Sequence, residues 1–410
     1  MKLTPTLAGL AGLFALLPPA ALAADAFELR DGDRVVLIGN TLIEREQRHG
    51  YWEAALTRRY PDRKITFRNL GWSGDTVFGE ARAGFGTPAD GFRHFKDHVL
   101  ALKPTVLIVG YGANESFAGE AGLKRFTDGL NTLLDALAPT KARVVLLSPL
   151  RQEDLGRPLP DPAVQNRNLR LYADAMKQIA EKRGHRFIDL YELLGGDTQG
   201  KPSAPLTDNG IHLTAFGYWK AALALERGLG LAQPTTWDVT VDARSQQASA
   251  ARGARVDRIE AGPMRFRLAA DRLPVLPPPK NSPPQGAFPA ADSLRITGLA
   301  PGRYALRIDG KFVHVATADQ WAQGVALVAG PDFDQAEELR RAVIEKNRLY
   351  FHRWRPQNET YLFGFRKHEQ GQNAREIPQF DPLVADKEKE IARLRTPRPH
   401  TYELIREKRP

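Results

Sequence analysis

Between residues 33 and about 231, short apolar runs alternate regularly with longer amphipathic stretches, and few folds are compatible with this pattern. The apolar runs are nearly continuous and rich in Val, Ile and Leu, which is typical of strands that are buried on both faces. The stretches between them have the apolar spacing of helices. Strand and helix in alternation predict a parallel sheet that is covered by helices on both sides.

Five strands and five long helices can be placed in this region. The strand candidates are residues 35–38, 65–70, 106–109, 143–148 and 186–190, and the helix candidates are residues 51–60, 91–102, 119–138, 162–183 and 214–228. In an open parallel sheet, ligands bind beyond the carboxyl ends of the strands. The loops that follow the strands are therefore the segments in which to look for a site.

The chain is 410 residues long, which is too much for one ordinary core, and two further regions follow the first. Residues 30–232 form the predicted α/β domain. Residues 236–330 read as a small β module because they contain period-two alternation and an Asp309-Gly310 hairpin signal, with an exposed proline-rich loop at residues 274–289. Residues 331–410 have helical spacing and many aromatic residues, and we expect them to pack on the α/β domain.

The amino terminus predicts export. Residues 1–23 contain a lysine, then an apolar run, then a small-residue ending at Ala23, which is the pattern of a secretory signal peptide. A short membrane anchor is the alternative, but Pro18 and Pro19 interrupt the run and it is short for a span. We therefore expect a periplasmic or extracellular protein without stable membrane insertion.

Composition excludes several classes of function. The formal net charge is +10, but acidic residues are interleaved with the basic ones, and no nucleic-acid-binding motif is present, so we expect no nucleic-acid partner. Cysteine is absent, so the fold has no disulfides. The sequence shows no zinc-ligand spacing, no phosphate-binding glycine loop and no dinucleotide fingerprint, and we expect neither a metal nor a cofactor.

The loops after the strands carry the residue types of acyl transfer. The first strand is followed by Asn40 and Thr41, the second by the segment GWSGDT, the third by GYGANES, and the last by a segment that contains GIHLT. A hydroxyl, glycine amides, a side-chain amide and a histidine would thus meet at one edge of the sheet. These groups can serve as nucleophile, oxyanion donors and general base.

Because of these segments, residues 33–231 resemble the SGNH (GDSL-type) hydrolase superfamily. The resemblance extends over about half of the chain. The resemblance implies a flavodoxin-like three-layer αβα fold with a five-stranded parallel sheet. It also implies that the Gly74 amide and the Asn114 side chain are oxyanion donors and that His212 is the base. Each motif alone has a simpler explanation: Gly74 and Asn114 as turn residues, and His212 as a histidine at a helix entry.

The chain departs from the family pattern at the two catalytic positions. The family has Gly-Asp-Ser where this chain has Gly39-Asn40-Thr41, so Thr41 takes the nucleophile position with an extra methyl group. The orienting aspartate of the family lies three residues before the histidine, where this chain has Asn209, and Asp208 lies one position further back. Either residue could orient His212, but an amide cannot stabilise an imidazolium as a carboxylate does.

Further residues on the predicted edge are candidates for substrate binding. Asn40 and Glu44 lie close to Thr41 in sequence, and Arg151 and Glu153 follow the fourth strand. For Glu44 a place in a charged helix start is an equally good interpretation. The aromatic and arginine residues of the C-terminal region could stack on sugar rings, but packing against the α/β domain is the favoured interpretation.

The sequence therefore predicts an exported SGNH-type hydrolase that cleaves an ester, with an acyl group on a carbohydrate as the favoured substrate and lipids or small esters as alternatives. In this interpretation Thr41 is an unusual nucleophile. The competing hypothesis is a catalytically silent module that binds a glycan or a protein partner and in which Thr41 is a remnant. The dyad residues are consistent with both hypotheses.

Overall fold

The computed structural model describes residues 26–195, 204–231, 237–260, 264–280, 282, 291–356 and 358–407. The predicted signal peptide at residues 1–23 lies outside the described residues, as does most of the second half of the proline-rich segment. Within the described ranges no helix is both long enough and apolar enough to cross a bilayer.

The first region contains the predicted parallel sheet. Its strands are β1 (Arg34–Gly39), β2 (Thr66–Asn69), β3 (Val106–Gly110), β4 (Arg143–Leu147) and β5 (Arg186–Ile188). They are all parallel and lie in the order β2-β1-β3-β4-β5, which is the flavodoxin-like order. Every residue of β3, the central strand, is buried, as the continuous apolar run predicts. The prediction of the fold class is confirmed.

Helices cover both faces of this sheet. They are α1 (Thr41–His49), α2 (Tyr51–Arg59), α3 (Pro88–Ala101), α4 (Leu123–Leu137), α5 (Ala163–Arg183), α6 (Leu190–Gly195) and α7 (Ala215–Gly228). The apolar sides of α2 and α7 contribute to the core on one face, and those of α3, α4 and α5 contribute to the core on the other. The sequence predicted five long helices in these positions, offered α1 only as a charged helix start at Glu44, and did not predict the short α6. The α1 segment TLIEREQRH has only two apolar residues at its start, which is too few to show helical spacing.

The second region is a β-sandwich. Its elements are β6 (Asp238–Asp242), β7 (Gln247–Arg252), β8 (Ala254–Glu260), β9 (Met264–Ala270), β10 (Asp292–Thr297), β11 (Arg303–Ile308), β12 (Lys311–Thr317), α8 (Ala318–Gln323) and β13 (Val325–Leu327). One sheet has the order β13-β10-β6-β7, and the inner faces of the two sheets share one apolar core. The turn between β11 and β12 is formed by Asp309 and Gly310, both with positive φ, as a two-residue hairpin requires.

The C-terminal region is divided between the two domains. It contains α9 (Pro331–Trp354), α10 (Glu359–Leu362), α11 (Lys367–Gln370), α12 (Phe380–Leu394) and the strand β14 (His400–Arg406). Helix α9 packs on α1, α2 and β2, and α12 packs on α9. Strand β14 does not lie on the α/β domain as expected, because it completes the second sheet of the sandwich between β11 and β9.

The start of the proline-rich segment also differs from expectation. It has no regular element, as the prolines predict, but Leu273, Val275 and Leu276 are buried rather than exposed. Trp219 on α7 donates its indole N–H to the carbonyl oxygen of Leu276 at 2.8 Å. The segment is therefore held against the α/β domain by apolar side chains between its prolines.

Candidate active site

The conformation of the first candidate catalytic segment, Gly39 to Thr41, is determined by the end of β1, which lies beside β3. Gly39 is paired with Gly110, and a Cβ atom at Gly39 would lie 2.3 Å from the Gly110 carbonyl oxygen, so only glycine fits. Asn40 then caps α1, because its side-chain oxygen accepts from the Leu42 N–H at 3.3 Å. Thr41 is thus the first residue of α1, where the backbone N–H groups have no intrahelical acceptor and the helix dipole favours negative charge.

Three of the predicted catalytic side chains line one small cavity at the carboxyl edge of the sheet. Thr41, Asn114 and His212 are all among its lining residues, and the cavity volume is about 90 Å³. Asn40 and Arg151, which the sequence suggested for substrate binding, also line it. No group of three or more metal-binding side chains occurs anywhere in the described ranges. Through its lining residues the cavity combines the hydroxyl of Thr41, the imidazole of His212 and the amide of Asn114.

Asn114 is held in place by a buried network. Its side-chain nitrogen donates to the carbonyl oxygen of Asp75 at 2.8 Å, and the Asp75 carboxylate accepts from Arg82 at 2.6 Å and from the Tyr111 hydroxyl at 3.1 Å. Asp75 is fully buried, so this anchor is rigid. An amide nitrogen carries two hydrogens, and the second one is free to serve as the predicted oxyanion donor.

The position of Gly74 gives less direct support for its predicted role as an oxyanion donor. It immediately precedes Asp75, has a φ of +79° that favours glycine, and is exposed, but it is not among the residues that line the cavity. The hydrogen bond from Asn114 to the Asp75 carbonyl nevertheless joins the loop of Gly74 to the loop of Asn114. The role of the Gly74 amide as a second donor stays a prediction.

His212 is oriented by Asn209. The side-chain oxygen of Asn209 accepts from the backbone N–H groups of Ile211 and His212 at 3.1 and 2.9 Å, so its nitrogen must face the imidazole, at 3.1 Å from Nδ1. Asp208, the other candidate, turns away and forms an ion pair with Arg45 at 3.1 Å. Because an amide N–H donates to Nδ1, the neutral ring is held with its proton on Nε2.

The pKa of His212 is lowered from its ordinary value of 6.5. Partial burial is the main cause, the positive charge of Arg45 adds to it, and Asp208 opposes it. The imidazole is therefore neutral at pH 7, as a general base must be. With its proton on Nε2, however, the same ring has no free nitrogen to offer to Thr41. The ring thus has the charge state of a general base but the wrong tautomer to accept the Thr41 proton. This tautomer is the main difference between the site and a working pair of nucleophile and histidine.

Two of the expected substrate-binding carboxylates have structural roles instead. Glu44 is buried outside the cavity, where it accepts from the Ser73 N–H at 2.7 Å and from Arg355 at 2.8 Å. Glu153 accepts from the backbone N–H groups of Leu206 and Thr207, beside the cavity but not in it. Loops leave backbone donors without partners, and a carboxylate satisfies two of them at once. We therefore withdraw both residues from the candidate site.

The C-terminal region supports the site through packing. Arg355 lies 3.5 Å above the ring of Trp72 and contacts Glu44, and Trp354 packs on Trp72 with ring centroids 5.9 Å apart. Trp72 begins the loop that holds Gly74. The interpretation that these C-terminal aromatic residues pack on the α/β domain thus fits their position. This contact could not be predicted from the sequence, because Trp72 and Arg355 are far apart in the chain.

Glu115, which the sequence analysis did not single out, bridges two of the loops. Its carboxylate accepts from the Val77 N–H at 2.8 Å and the Gly112 N–H at 2.9 Å, and thereby ties the segment after Gly74 to the segment before Asn114. Burial raises the pKa of Glu115 to about 7, against these hydrogen bonds, which lower it. A glutamate directly after the Gly-x-Asn motif is the one available sequence signal.

The raised pKa of Glu115 predicts a pH dependence of stability. Below pH 4.5 the carboxyl group is protonated in both states; between pH 4.5 and 7 only the unfolded state loses the proton, so stability falls as the pH rises. We expect wild type to lose up to about 3 kcal/mol relative to Glu115→Gln across this window, measured by urea unfolding at several pH values. Exposed Glu120→Gln is the matched control, and parallel stability curves for wild type and Glu115→Gln would contradict the prediction.

Comparisons with known proteins relate the chain to a family and to a fold. Residues 38–220 match the model of the GDSL-like lipase/acylhydrolase family. The structure is similar to that of a gut microbial diltiazem-metabolizing enzyme, with 17% sequence identity and a TM-score of 0.74 over 94% of this chain and 100% of that one. At this identity the similarity shows the fold alone, but it includes the β-sandwich and the C-terminal region.

Two shorter structures are similar to about half of the chain. They are an acetylxylan esterase from Geobacillus stearothermophilus, at 20% identity over 50% of this chain and 97% of that one, and an alpha/beta hydrolase from the metagenome of Lake Arreo in Spain, at 22% identity over 50% and 98%. The TM-score is 0.39 for each. No curated protein sequence matches the chain. Through the family match and the order of its sheet, the α/β domain is a member of the SGNH (GDSL-like) superfamily of ester hydrolases.

Proposed function

We propose that the chain is an exported ester hydrolase that removes a short acyl group from a carbohydrate or a similar small alcohol. The observation that carries the proposal is the convergence of Thr41, Asn114 and His212 on one cavity from three distant segments. Export follows from the predicted signal peptide. The cavity volume of about 90 Å³ favours a short acyl group, since it is smaller than an apolar cavity of about 150 Å³ that binds benzene.

The mechanism uses the three side chains in turn. The Thr41 hydroxyl attacks the ester carbonyl carbon while His212, in the minor tautomer with a free Nε2, takes its proton. The Asn114 amide and the backbone N–H groups of Thr41 and Gly74 stabilise the negative oxygen of the tetrahedral intermediate. Protonated His212 then returns the proton to the departing alcohol, and water hydrolyses the acyl-threonine by the same steps in reverse.

A second candidate function has support of its own. The Asn209 amide holds His212 in the tautomer that cannot accept a proton from Thr41, and the Thr41 methyl group restricts the hydroxyl. Both features fit a module that binds an ester or a glycan without cleaving it. The two candidates differ in one measurable property, which is turnover.

Hydrolysis of 4-nitrophenyl acetate by the purified protein separates them. We expect slow enzymatic turnover that falls at least tenfold, to the spontaneous rate, in Thr41→Ala and in His212→Ala, because each variant lacks one half of the dyad. Thr132→Ala, which removes an exposed hydroxyl on α4, is the control and should keep the wild-type rate. Turnover that is absent, or equal in the wild type and both dyad variants, would favour the binding module.

A further inference from the structure

The charged residues of the cavity all have the same sign. Apart from His212, the only ionisable acid or base side chains among its lining residues in the described structure are Arg45, Arg151 and two tyrosines; no aspartate or glutamate lines it. Asp208 lies close by, but its carboxylate is taken by Arg45. Glu153 follows Arg151 in the same loop, but its carboxylate accepts from the backbone of the next loop. The cavity is therefore a site of positive potential.

Arg151 is the freer of the two cations. It is exposed in the loop after β4, and its guanidinium has no hydrogen bond or ion pair with any of the residues that the structure describes. A guanidinium presents five N–H donors in a planar fork that matches a carboxylate. An unpaired arginine at the edge of a cavity is thus available to a ligand without breaking an internal contact.

Arg45 is fixed and also has an unused donor. It lies one turn after Thr41 on α1, and Asp208 holds one end of its guanidinium at 3.1 Å. Its Nε atom is buried and has no hydrogen-bond partner in the described structure. Buried donors are rarely left without a partner in the functional state of a protein. Both arginines therefore point to an acceptor that arrives with the ligand.

The position of Arg151 decides which part of the substrate it meets. The enclosed space is small enough that a short acyl group fills it, whereas Arg151 lies at the exposed rim. Two large apolar side chains share this rim and are unusually exposed: Phe117 at 67% and Ile211 at 48%. A rim that combines apolar surface with a cation fits a ring that bears an anionic group.

We infer that the natural substrate is an ester whose alcohol part is a ring that carries a carboxylate, such as an acylated acidic sugar, and that Arg151 binds this carboxylate. The inference rests on the proposed function and narrows its substrate class. The ring lies on Phe117 and Ile211 while the acyl group enters the cavity beside Thr41. Arg45, which also lines the cavity, adds to the positive potential.

Two acetate esters with matched leaving groups test the inference. We expect kcat/KM, divided by each ester's spontaneous hydrolysis rate, to be about tenfold higher for 4-acetoxybenzoate than for neutral 4-acetoxybenzamide. Arg151→Gln should remove this preference, and Arg151→Lys should keep part of it. Arg348→Gln, an exposed arginine on α9, removes the same net charge elsewhere and should keep the full preference.

The possible failures are distinguishable. Hydrolysis of neither ester would overturn the proposed function itself. Hydrolysis of both at equal normalised rates, or a preference that survives in Arg151→Gln, would overturn only the inference about Arg151. A third ester, 4-nitrophenyl hydrogen succinate, carries its carboxylate on the acyl side. If Arg151→Gln lowered the hydrolysis of this succinate ester and not that of 4-acetoxybenzoate, Arg151 would bind a carboxylate on the acyl part of the substrate. The inference that the carboxylate lies on the alcohol part would then be wrong.

Discussion

Replacing Asn209 with aspartate is expected to raise kcat/KM for 4-nitrophenyl acetate by about 10²- to 10³-fold, since the wrong histidine tautomer costs a serine protease about 10⁴ in rate. Aspartate has no N–H to donate to Nδ1 of His212. One of its oxygens can keep the two backbone hydrogen bonds from Ile211 and His212, and the other can accept from a protonated Nδ1. The lone pair of Nε2 is then free for the Thr41 proton.

A change in the pH profile should accompany the gain in rate. In the wild type, burial and Arg45 lower the pKa of His212, so the acid limb of the rate lies below pH 6.5. The new carboxylate favours the imidazolium and should move this limb to higher pH. A variant that merely stabilised the loop would not shift the limb.

Asp208→Asn is the matched control for Asn209→Asp. It changes the neighbouring residue in the opposite direction, breaks the partly exposed ion pair with Arg45, and removes the charge that opposes the lowering of the His212 pKa. We expect it to change kcat/KM for the neutral ester by less than about threefold. A folded Asn209→Asp protein with wild-type activity would show that the tautomer does not limit this site, and an equal gain in Asp208→Asn would point to local charge instead.

The sheet was predictable because its pattern is local. Strands β1, β3 and β4 contain continuous apolar runs, the helices between the strands have regular spacing, and together these properties allow few topologies. Helix α1 was indicated only as a charged helix start at Glu44, because its residues Thr41–His49 are mostly polar and it is stabilised by the Asn40 cap and by packing on α9. Strand β14 was missed because its partners, β9 and β11, are far away in the chain.

The sequence predicted which residues meet at the candidate site only where they lie just beyond the ends of strands. Thr41 and Asn114 lie directly beyond neighbouring parallel strands, so the fold brings them together with His212 from a later loop. The partners of each side chain do not follow from the sequence. Asp208 and Asn209 are adjacent, and only the geometry shows that Asn209 contacts the imidazole while Asp208 contacts Arg45. Glu44 was a candidate for substrate binding or for a charged helix start, and its contacts with Ser73 and Arg355 could not be predicted because both residues are distant in sequence.

The C-terminal helix α9 is joined to the α/β domain by a buried ion pair. Lys346 on α9 is 1% exposed, and its ammonium donates to the Glu53 carboxylate on α2 at 2.7 Å and to the Phe67 carbonyl oxygen on β2 at 3.1 Å. Burial lowers the pKa of Lys346 and raises that of Glu53, and each charge partly offsets this effect on the other. Neither group can reach water if its partner is removed.

Lys346→Met is therefore expected to lower the free energy of unfolding by about 3–5 kcal/mol, the usual cost of leaving one buried charge without its partner. Urea unfolding at pH 7 measures the loss. The double variant Lys346→Met/Glu53→Leu should recover most of it, because two apolar side chains of similar volume often replace a buried ion pair without cost. Lys389→Met, which breaks an exposed pair with Asp386, should change stability by less than about 1 kcal/mol.

The recovery in the double variant is the decisive measurement. If Lys346 stabilised α9 only through its aliphatic chain, methionine would preserve that packing and the single variant would lose little. If instead the loss is large and Glu53→Leu does not restore it, the Phe67 carbonyl left without its donor accounts for the cost.

Arg355 directly follows α9 and contacts Glu44, which holds the Ser73 N–H beside Gly74. A loosened α9 should therefore also lower the esterase rate, and the double variant should restore both properties together.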